Sequence, residues 1–384
     1  MGPFFKQLQS ELQRSLLLNV DVHRIVFNAG DQFFAGKHHV HAFTQAQDQW
    51  AQWLSDFVKT YSITHILVYG DCRFYHKAAA EICENLGLKF WAFEEGYLRP
   101  NHITCERFGA NANSKTHYEE VRNWQIKDDL DNFDVRSSFY YTFYYAAVFY
   151  WAMLLGKSKF KLYIHHRDSS PMREGAAKIR SFLRHYLYKF KQKSQLKFIK
   201  QHPFFLVPLQ VFNDSQLTHH SPFESMQAFI ETTVESFAVH SQSEDVLVIK
   251  HHPADRGECN YQTLIDQLTL KYDLVNRLIY VHDLHLPSLL KQCKGVISIN
   301  STTVLGAFHH SAPVKILGEA FYDIKGLACE GSLDDFWTKP TAVNHEFYLQ
   351  LRDFLRHTNQ FNGSFYSDKD LAIKNFIHFF KDKV

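Results

Sequence analysis

Short apolar runs rich in Val, Ile, Leu and Phe recur along the chain, each followed by a few polar residues and then a longer segment of helical spacing. Runs this short predict buried strands, and the longer segments predict amphipathic helices. In the first half the pattern predicts helices over Pro3–Ser15, Gln45–Tyr61 and Tyr75–Leu86, and strands over Arg24–Phe27, Ile66–Tyr69 and Lys89–Phe93. In the second half it predicts strands over Phe204–Pro208, Val246–Ile249, Leu278–Val281, Gly295–Ile299 and Val314–Leu317. The intervening helices are expected over Phe223–Ser241, Tyr261–Tyr272, Leu286–Gln292 and Val304–Ser311. Such alternation predicts an α/β fold with parallel sheets. The expected organisation is two Rossmann-like domains, 1–200 and 201–342, facing a central cleft. Helices in 343–384 are expected to cross back onto the first domain.

One segment breaks the pattern. Ser137–Gly156 is 20 residues long, carries no charge and contains nine aromatics, five of them Tyr. That length can span a bilayer, but Tyr and Trp prefer the headgroup level. The next stretch, Lys157–Lys200, holds 13 Lys and Arg against Asp168 and Glu174, a local charge of +11 in a chain whose net charge is +2. Aromatics beside a basic segment predict an interfacial, monotopic contact with anionic lipid across 137–200 rather than a membrane span. A buried helix with a solvated basic neighbour is the plain alternative.

Composition adds limits. With 45% hydrophobic residues over 384 positions there is material for two cores. The six cysteines show no CxxC spacing, which argues against a zinc or redox motif. Reduced thiols and the absence of a basic-then-apolar leader in Met1-Gly-Pro-Phe-Phe-Lys6 fit a cytoplasmic protein. No GxGxxG, P-loop, GxSxG or HExxH is present, so hydride transfer, ATP hydrolysis and serine hydrolysis lack their usual signatures. No RNA-binding signature accompanies the basic segment, and no nucleic-acid partner is expected.

Candidate chemistry gathers where strands end, the usual ligand position in open α/β sheets. Glu94 and Glu95 end a strand ahead of Gly96, and crowding there raises a carboxyl pKa toward acid/base use. Arg99 follows in Glu94-Glu-Gly-Tyr-Leu-Arg-Pro100 and suits an anionic substrate. Asp214, beyond the Phe204–Pro208 strand, is a candidate nucleophile or a turn residue, with Gln210 as an orienting partner. Lys250-His-His-Pro253 places His252 in an extended position before Pro253, with His251 turned to the other side. Asn300, Ser301, Thr302 and Thr303 offer amides and hydroxyls at a helix start, for phosphate binding, for capping by Ser301, or for both. His165-His166-Arg167 reads as an anion contact rather than a metal site, and no metal and no cofactor are expected.

Together these segments resemble the bacterial capsule polysaccharide biosynthesis family, the KpsS/KpsC (LipB/LipA) type of β-Kdo glycosyltransferase. The matching stretches are Gly2-Pro-Phe-Phe5, Phe27-Asn-Ala-Gly-Asp31, Phe93–Pro100, Pro208-Leu-Gln-Val211 with Asp214-Ser-Gln216, Lys250–Pro253, Ile299–Thr303 and Gly326–Trp337. The single-module length and the first two stretches are similar to the KpsS branch. The resemblance implies a GT-B-like fold, CMP-β-Kdo as donor and a lyso-phosphatidylglycerol acceptor at the cytoplasmic face of the inner membrane. The product would start the poly-Kdo linker of a group 2-type capsule, in association with a capsule biosynthesis and export complex. It implies retention of configuration, with Asp214 as nucleophile, His252 on the departing phosphate, and Glu95 or Glu94 as base. Lys250 or Arg99 would face the sugar carboxylate. Two other readings stay open: a chain-extending transferase acting on a Kdo-primed glycolipid, and a non-catalytic assembly or export scaffold.

Overall fold

The computed structural model describes residues 2–15, 20–127, 130, 132–156, 158–164, 171–212, 217 and 220–383. Among them run eleven strands: β1 (Arg24–Val26), β2 (Val40–Ala42), β3 (His65–Tyr69), β4 (Lys89–Glu95), β5 (His102–Arg107), β6 (Phe204–Pro208), β7 (Val246–Lys250), β8 (Leu278–Val281), β9 (Gly295–Ser298), β10 (Val314–Ile316) and β11 (Gln360–Asn362). The first helices are α1 (Gly2–Arg14), α2 (Ala29–Ala35), α3 (Trp50–Thr60) and α4 (Phe74–Leu86). The chain divides into two compact units. Unit 1 comprises Met1–Lys115, Lys127–Asp168 and Leu355–Val384; unit 2 comprises Thr116–Ile126 and Ser169–Phe354.

Unit 1 holds a parallel β1–β2 pair and a four-stranded sheet of order β11-β5-β4-β3. β3 and β4 are parallel, as the alternation predicts, but β4–β5 and β5–β11 are antiparallel. The sheet is therefore mixed. The reason is local: β4 turns back through residues 96–101 without a crossover helix, and only antiparallel strands can be joined so tightly. Both faces of the sheet are covered. Trp91, Phe93 and Ile103 pack with Phe4, Leu8 and Leu12 of α1 and with Phe361 and Phe376 of the tail. Val68, Phe90 and Ala92 pack with Trp50, Leu54 and Val58 of α3 and Ala79 of α4. The apolar residues of α3 recur at three- and four-residue steps, the stripe a helix needs to lie on a sheet.

The uncharged segment forms an aromatic helix, Phe139–Leu155, packed on α2. At Gly30 of α2, an added Cβ would lie 2.5 Å from the Phe149 ring, so the close approach requires glycine. The opposite side of the helix is uncovered within unit 1: Tyr140, Phe143, Tyr144, Trp151, Leu154 and Leu155 are all exposed. No helix among the described residues is long and apolar enough to cross a membrane.

Unit 2 carries an all-parallel sheet of order β10-β9-β6-β7-β8. Every residue of β6, β7 and β9 is buried, which explains their unbroken apolar runs. The basic helix, Pro171–Ile199, belongs to this unit, not to the first. Arg180 Nε and Arg184 donate to the carbonyls of Gly257 and Arg256 at 2.6 and 2.7 Å. Tyr188 stacks on His282 at 3.9 Å between ring centroids. The boundary expected at residue 200 thus lies near 169. The return of the tail begins at 355 instead of 343, and strand β11 interrupts the expected helix.

Candidate active site

In unit 1, acids stand at the carboxyl ends of β3 and β4 and at the start of α2, and the Arg73 guanidinium acts on both Glu94 and Asp31. Glu94 and Glu95 are the last residues of β4, half-buried, and the Glu95 N–H donates to Glu94 Oε1 at 3.1 Å. Gly70, just past β3, donates to the Phe93 carbonyl at 2.8 Å, which holds the two strand ends together. A methyl placed on Gly70 would lie 3.6 Å from Glu94 Oε2 and 3.9 Å from Arg73 Nε. Burial pushes the Glu94 carboxyl up to about 7. The Glu95 N–H and Arg73 oppose the rise, and the Glu95 and Asp71 carboxylates add to it. Burial also raises Glu95, against Arg99 and the Tyr69 hydroxyl. Asp31, half-buried at the start of α2, is raised by burial and opposed by Arg24 and Arg73. Asn28 caps α2 by accepting from the Asp31 N–H at 2.9 Å, and its amide reaches Asp31 Oδ2 at 2.8 Å.

The turn after β4 is built from the backbone. Arg99 Nε donates to the Gly96 carbonyl at 3.1 Å. Gln360 Oε1 accepts from Tyr97 N at 2.8 Å, and its amide donates to Thr104. An added Cβ on Gly96 would sit 2.0 Å from the His102 carbonyl oxygen, so only glycine fits. Gly96→Ala is expected to destabilise the protein by about 1–3 kcal/mol, seen as a lower thermal midpoint, because the antiparallel strand must move. An unchanged midpoint would show that the turn yields freely.

In unit 2 the candidate residues Gln210 and Asn300 lie at the topological switch point. From β6 the chain proceeds through β7 to β8 on one side of the sheet and places β9 and β10 on the other. The crevice outside β6 and β9 is where doubly wound sheets bind ligands. Gln210 follows β6 and Asn300 follows β9. Both are buried, and they exchange two hydrogen bonds: Gln210 Nε2 to Asn300 Oδ1 at 2.9 Å, and Asn300 N to Gln210 Oε1 at 3.1 Å. Truncating either leaves buried polar groups unpaired. Gln210→Ala and Asn300→Ala are each expected to cost about 1–3 kcal/mol, with the double variant costing less than the sum in denaturant melts. Additive losses would contradict the pairing.

The neighbouring end of β7 carries Lys250, whose buried ammonium donates to the His282 carbonyl at 3.3 Å. Burial lowers its pKa to about 8, opposed by Asp283. His252 Nδ1 accepts from Ala254 N at 3.2 Å across the turn started by Pro253. That bond uses the Nδ1 lone pair, so the neutral ring carries its proton on Nε2. His251 turns inward, with Nδ1 2.6 Å from the Tyr280 hydroxyl, and burial pushes it down to about 4. After β9, Ser301 Oγ accepts from Thr303 N at 3.3 Å and donates to Thr303 Oγ1 at 3.1 Å, while Thr302 occupies the cap position of helix Thr303–His309. The capping position expected at Ser301 is thus shifted by one residue, although Ser301 still satisfies a backbone amide of the first turn.

Two sequence candidates, Asp214 and the His165-His166-Arg167 run, lie outside the described residues. The approach to Asp214 is anchored by Asp255, whose buried carboxylate accepts from Phe212 N at 2.7 Å. Asp255 was not singled out by sequence, nor were Asp71, Arg73 and Glu106. Asp71 accepts from Ala110 N at 2.8 Å and Asn113 at 3.1 Å. Glu106 is buried beside Tyr97, accepts from Asn359 at 3.0 Å, and is pushed up to about 7 by burial. A usable signal existed for Asp71 and Arg73, since Gly70-Asp-Cys-Arg73 closes a predicted strand. Glu106 sits mid-sequence in a strand the pattern did not reveal.

The profile of a family described as capsule polysaccharide biosynthesis protein matches residues 64–366. The capsule polysaccharide export protein KpsS of Escherichia coli is 36% identical over 372 residues, covering 95% of each chain. This chain belongs to the capsule polysaccharide biosynthesis family. Another relative, the capsule polysaccharide modification protein LipB of Neisseria meningitidis serogroup B, is 34% identical, covering 96% of this chain and 90% of its own. Among solved structures, Thermosulfurimonas dismutans KpsC, a beta Kdo 2,7 transferase, aligns with 94% of this chain and 99% of its own at 14% identity and a TM-score of 0.45. The family match takes in Glu94–Arg99, Gln210, Lys250–Pro253 and Asn300–Thr303.

Proposed function

We propose that this family member is a retaining β-Kdo glycosyltransferase of GT-B-like architecture, using CMP-β-Kdo as donor and lyso-phosphatidylglycerol as acceptor. The observation that carries the reading is the gathering of polar side chains at the strand ends of unit 2. There the Gln210–Asn300 pair spans the switch point, and His252 stands at the next strand end with Nε2 as its proton-bearing atom. Ligands of doubly wound sheets bind at such strand ends, and membership of the capsule polysaccharide biosynthesis family supports a Kdo nucleotide sugar as that ligand.

Double displacement is one economical route to net retention, and it is the route proposed. The Asp214 carboxylate attacks C2 of Kdo, the bond from C2 to the phosphate oxygen breaks, and CMP leaves with the electron pair. His252, with Ser301, Thr302 and Thr303, hydrogen-bonds the departing phosphate. Lys250 or Arg99 balances the carboxylate of the sugar. The acceptor hydroxyl then attacks C2 and releases Asp214, while Glu94 or Glu95 takes its proton. A carboxyl with a pKa near 7 suits that last task. Protein donors neutralise the leaving group, so the scheme calls for no metal and no cofactor.

A membrane-resident acceptor fits two surfaces, each on its own unit. The aromatic helix exposes Phe143, Tyr144 and Trp151, and the basic helix exposes Phe182, Leu183, Tyr186 and Leu187. Burial of one large apolar side chain in the interface contributes about 1.5–3 kcal/mol. Phe143→Ser with Trp151→Ser is therefore expected to weaken binding to phosphatidylglycerol vesicles by at least about tenfold in co-sedimentation. Undiminished binding would remove the aromatic helix from the proposed peripheral attachment at the cytoplasmic face of the inner membrane.

The function is tested by supplying CMP-Kdo with either lyso-phosphatidylglycerol or a Kdo-primed glycolipid and following CMP release. Release with the first acceptor is expected. Release with only the second would favour the chain-extending reading. No release with either would favour the scaffold.

A further inference from the structure

We propose that Asp21, His23 and His39 form a surface site for a divalent first-row transition cation, zinc foremost. The three residues lie just ahead of β1 and β2, at the opposite ends of these strands from the Asn28 turn. Asp21 Oδ2 is 3.2 Å from His23 Nε2, and Asp21 Oδ1 is 2.8 Å from His39 Nδ1. One donor atom from each of the three falls within 4.8 Å of the others. Bonds of about 2.0–2.2 Å in a tetrahedron put donors about 3.4 Å apart. Small side-chain rotations therefore suffice to enclose an ion. Two imidazoles and one carboxylate form a donor set suited to zinc, and the exposure of Asp21 and His39 leaves the fourth position to water.

The surroundings fix the ligands more firmly than a chance surface cluster would be fixed. Arg24 N donates to the His39 carbonyl at 2.8 Å, holding His39 beside His23 as the parallel pair begins. His39 takes a left-handed backbone conformation, φ 48°, an uncommon state for a residue other than glycine. Gln9, buried in α1, donates to the carbonyls of Val22 at 3.0 Å and His38 at 3.2 Å, so one side chain ties down the backbone next to both histidines. Behind His23, its Nδ1 lies 3.1 Å from His41 Nε2. A proton on His23 Nδ1 shared with His41 leaves the lone pair of Nε2 for the metal, the outer-shell arrangement that orients zinc-bound histidines. His41 itself packs edge-on to Phe57 at 4.8 Å.

The sequence hides this set. Asp21-Val-His23 and His39-Val-His41 are two short i, i+2 pairs separated by a helix, in a chain with 24 histidines. Neither pair has the spacing of a known zinc motif, and only the β1–β2 pairing brings them together. A bound ion would clip the approach to β1 onto the loop before β2. The site is independent of the proposed sugar transfer.

Zinc titration of the chelator-treated full chain at pH 7, by calorimetry and by competition with a chromophoric chelator, tests the assignment. One tight equivalent per chain is expected, with a rise in thermal midpoint. Asp21→Asn and His39→Ala should each weaken that equivalent by at least tenfold and abolish the rise. His41→Ala should weaken it by about 10–100-fold through the outer shell, and His38→Ala should leave it unchanged. Circular dichroism verifies that each variant is folded. The absence of a tight equivalent, or one that survives both Asp21→Asn and His39→Ala, would overturn the proposal and leave a hydrogen-bonded Asp–His cluster with no ion.

Discussion

Glu94→Gln is expected to lower the rate of Kdo transfer by about 10²–10⁴-fold, the usual weight of a positioned general base. It should also erase a limb of the pH profile. Burial lifts the Glu94 carboxyl to about 7, so its basic form accumulates as pH rises through neutrality and the wild-type rate should climb across that range. The stability effect has the opposite sign. Between the ordinary carboxyl value of 4.5 and about 7, the folded protein holds a proton that the unfolded chain has released. Stability at this site is therefore fully present below about 4.5 and declines as pH rises through 7. Glutamine does not ionise, so the variant should melt no lower than wild type at pH 8 while being far slower. A slow variant that is also unstable at pH 8 would point to misfolding. Retention of the pH limb in Glu94→Gln, with its loss in Glu95→Gln, would move the role to Glu95.

Asp214→Ala should have the largest effect, a loss of about 10⁴-fold or more, as when a nucleophile is removed. Intact mass after incubation with CMP-Kdo and no acceptor should show a Kdo-sized adduct on wild type and none on the variant. His252→Asn provides the contrast. Asparagine preserves an acceptor for the Ala254 N–H but has no counterpart of Nε2–H, so the turn after β7 should persist. Its rate should fall about 10²–10³-fold, the weight of one donor aimed at developing negative charge. The adduct should still form, only more slowly. An adduct that persists in Asp214→Ala would exclude that residue as nucleophile.

The parts of the fold that were legible are those whose burial is simplest. β6, β7 and β9 are covered on both faces, so their sequences are unbroken apolar runs with polar residues where the strand reaches the crevice. The same property exposed Gln210, Lys250, His252 and Asn300 as strand-end residues. β5 and β11 escaped because their buried positions include Thr104, Glu106, Gln360 and Asn362, polar groups satisfied by partners distant in sequence. Glu106 depends on Asn359, some 250 residues away, and no local pattern encodes such a pair. The basic segment was misassigned to the first domain for a related reason. Its charge is local, but its attachment is made by Arg180 and Arg184 to carbonyls at 257 and 256.

The most direct measurement is the structure of the product made from CMP-Kdo and lyso-phosphatidylglycerol. Mass and anomeric analysis should find a Kdo-bearing lipid with β linkage, formed in step with CMP release. An α-linked product would contradict double displacement at Asp214, and a wild-type protein that releases no CMP with any lipid acceptor would contradict the transferase itself.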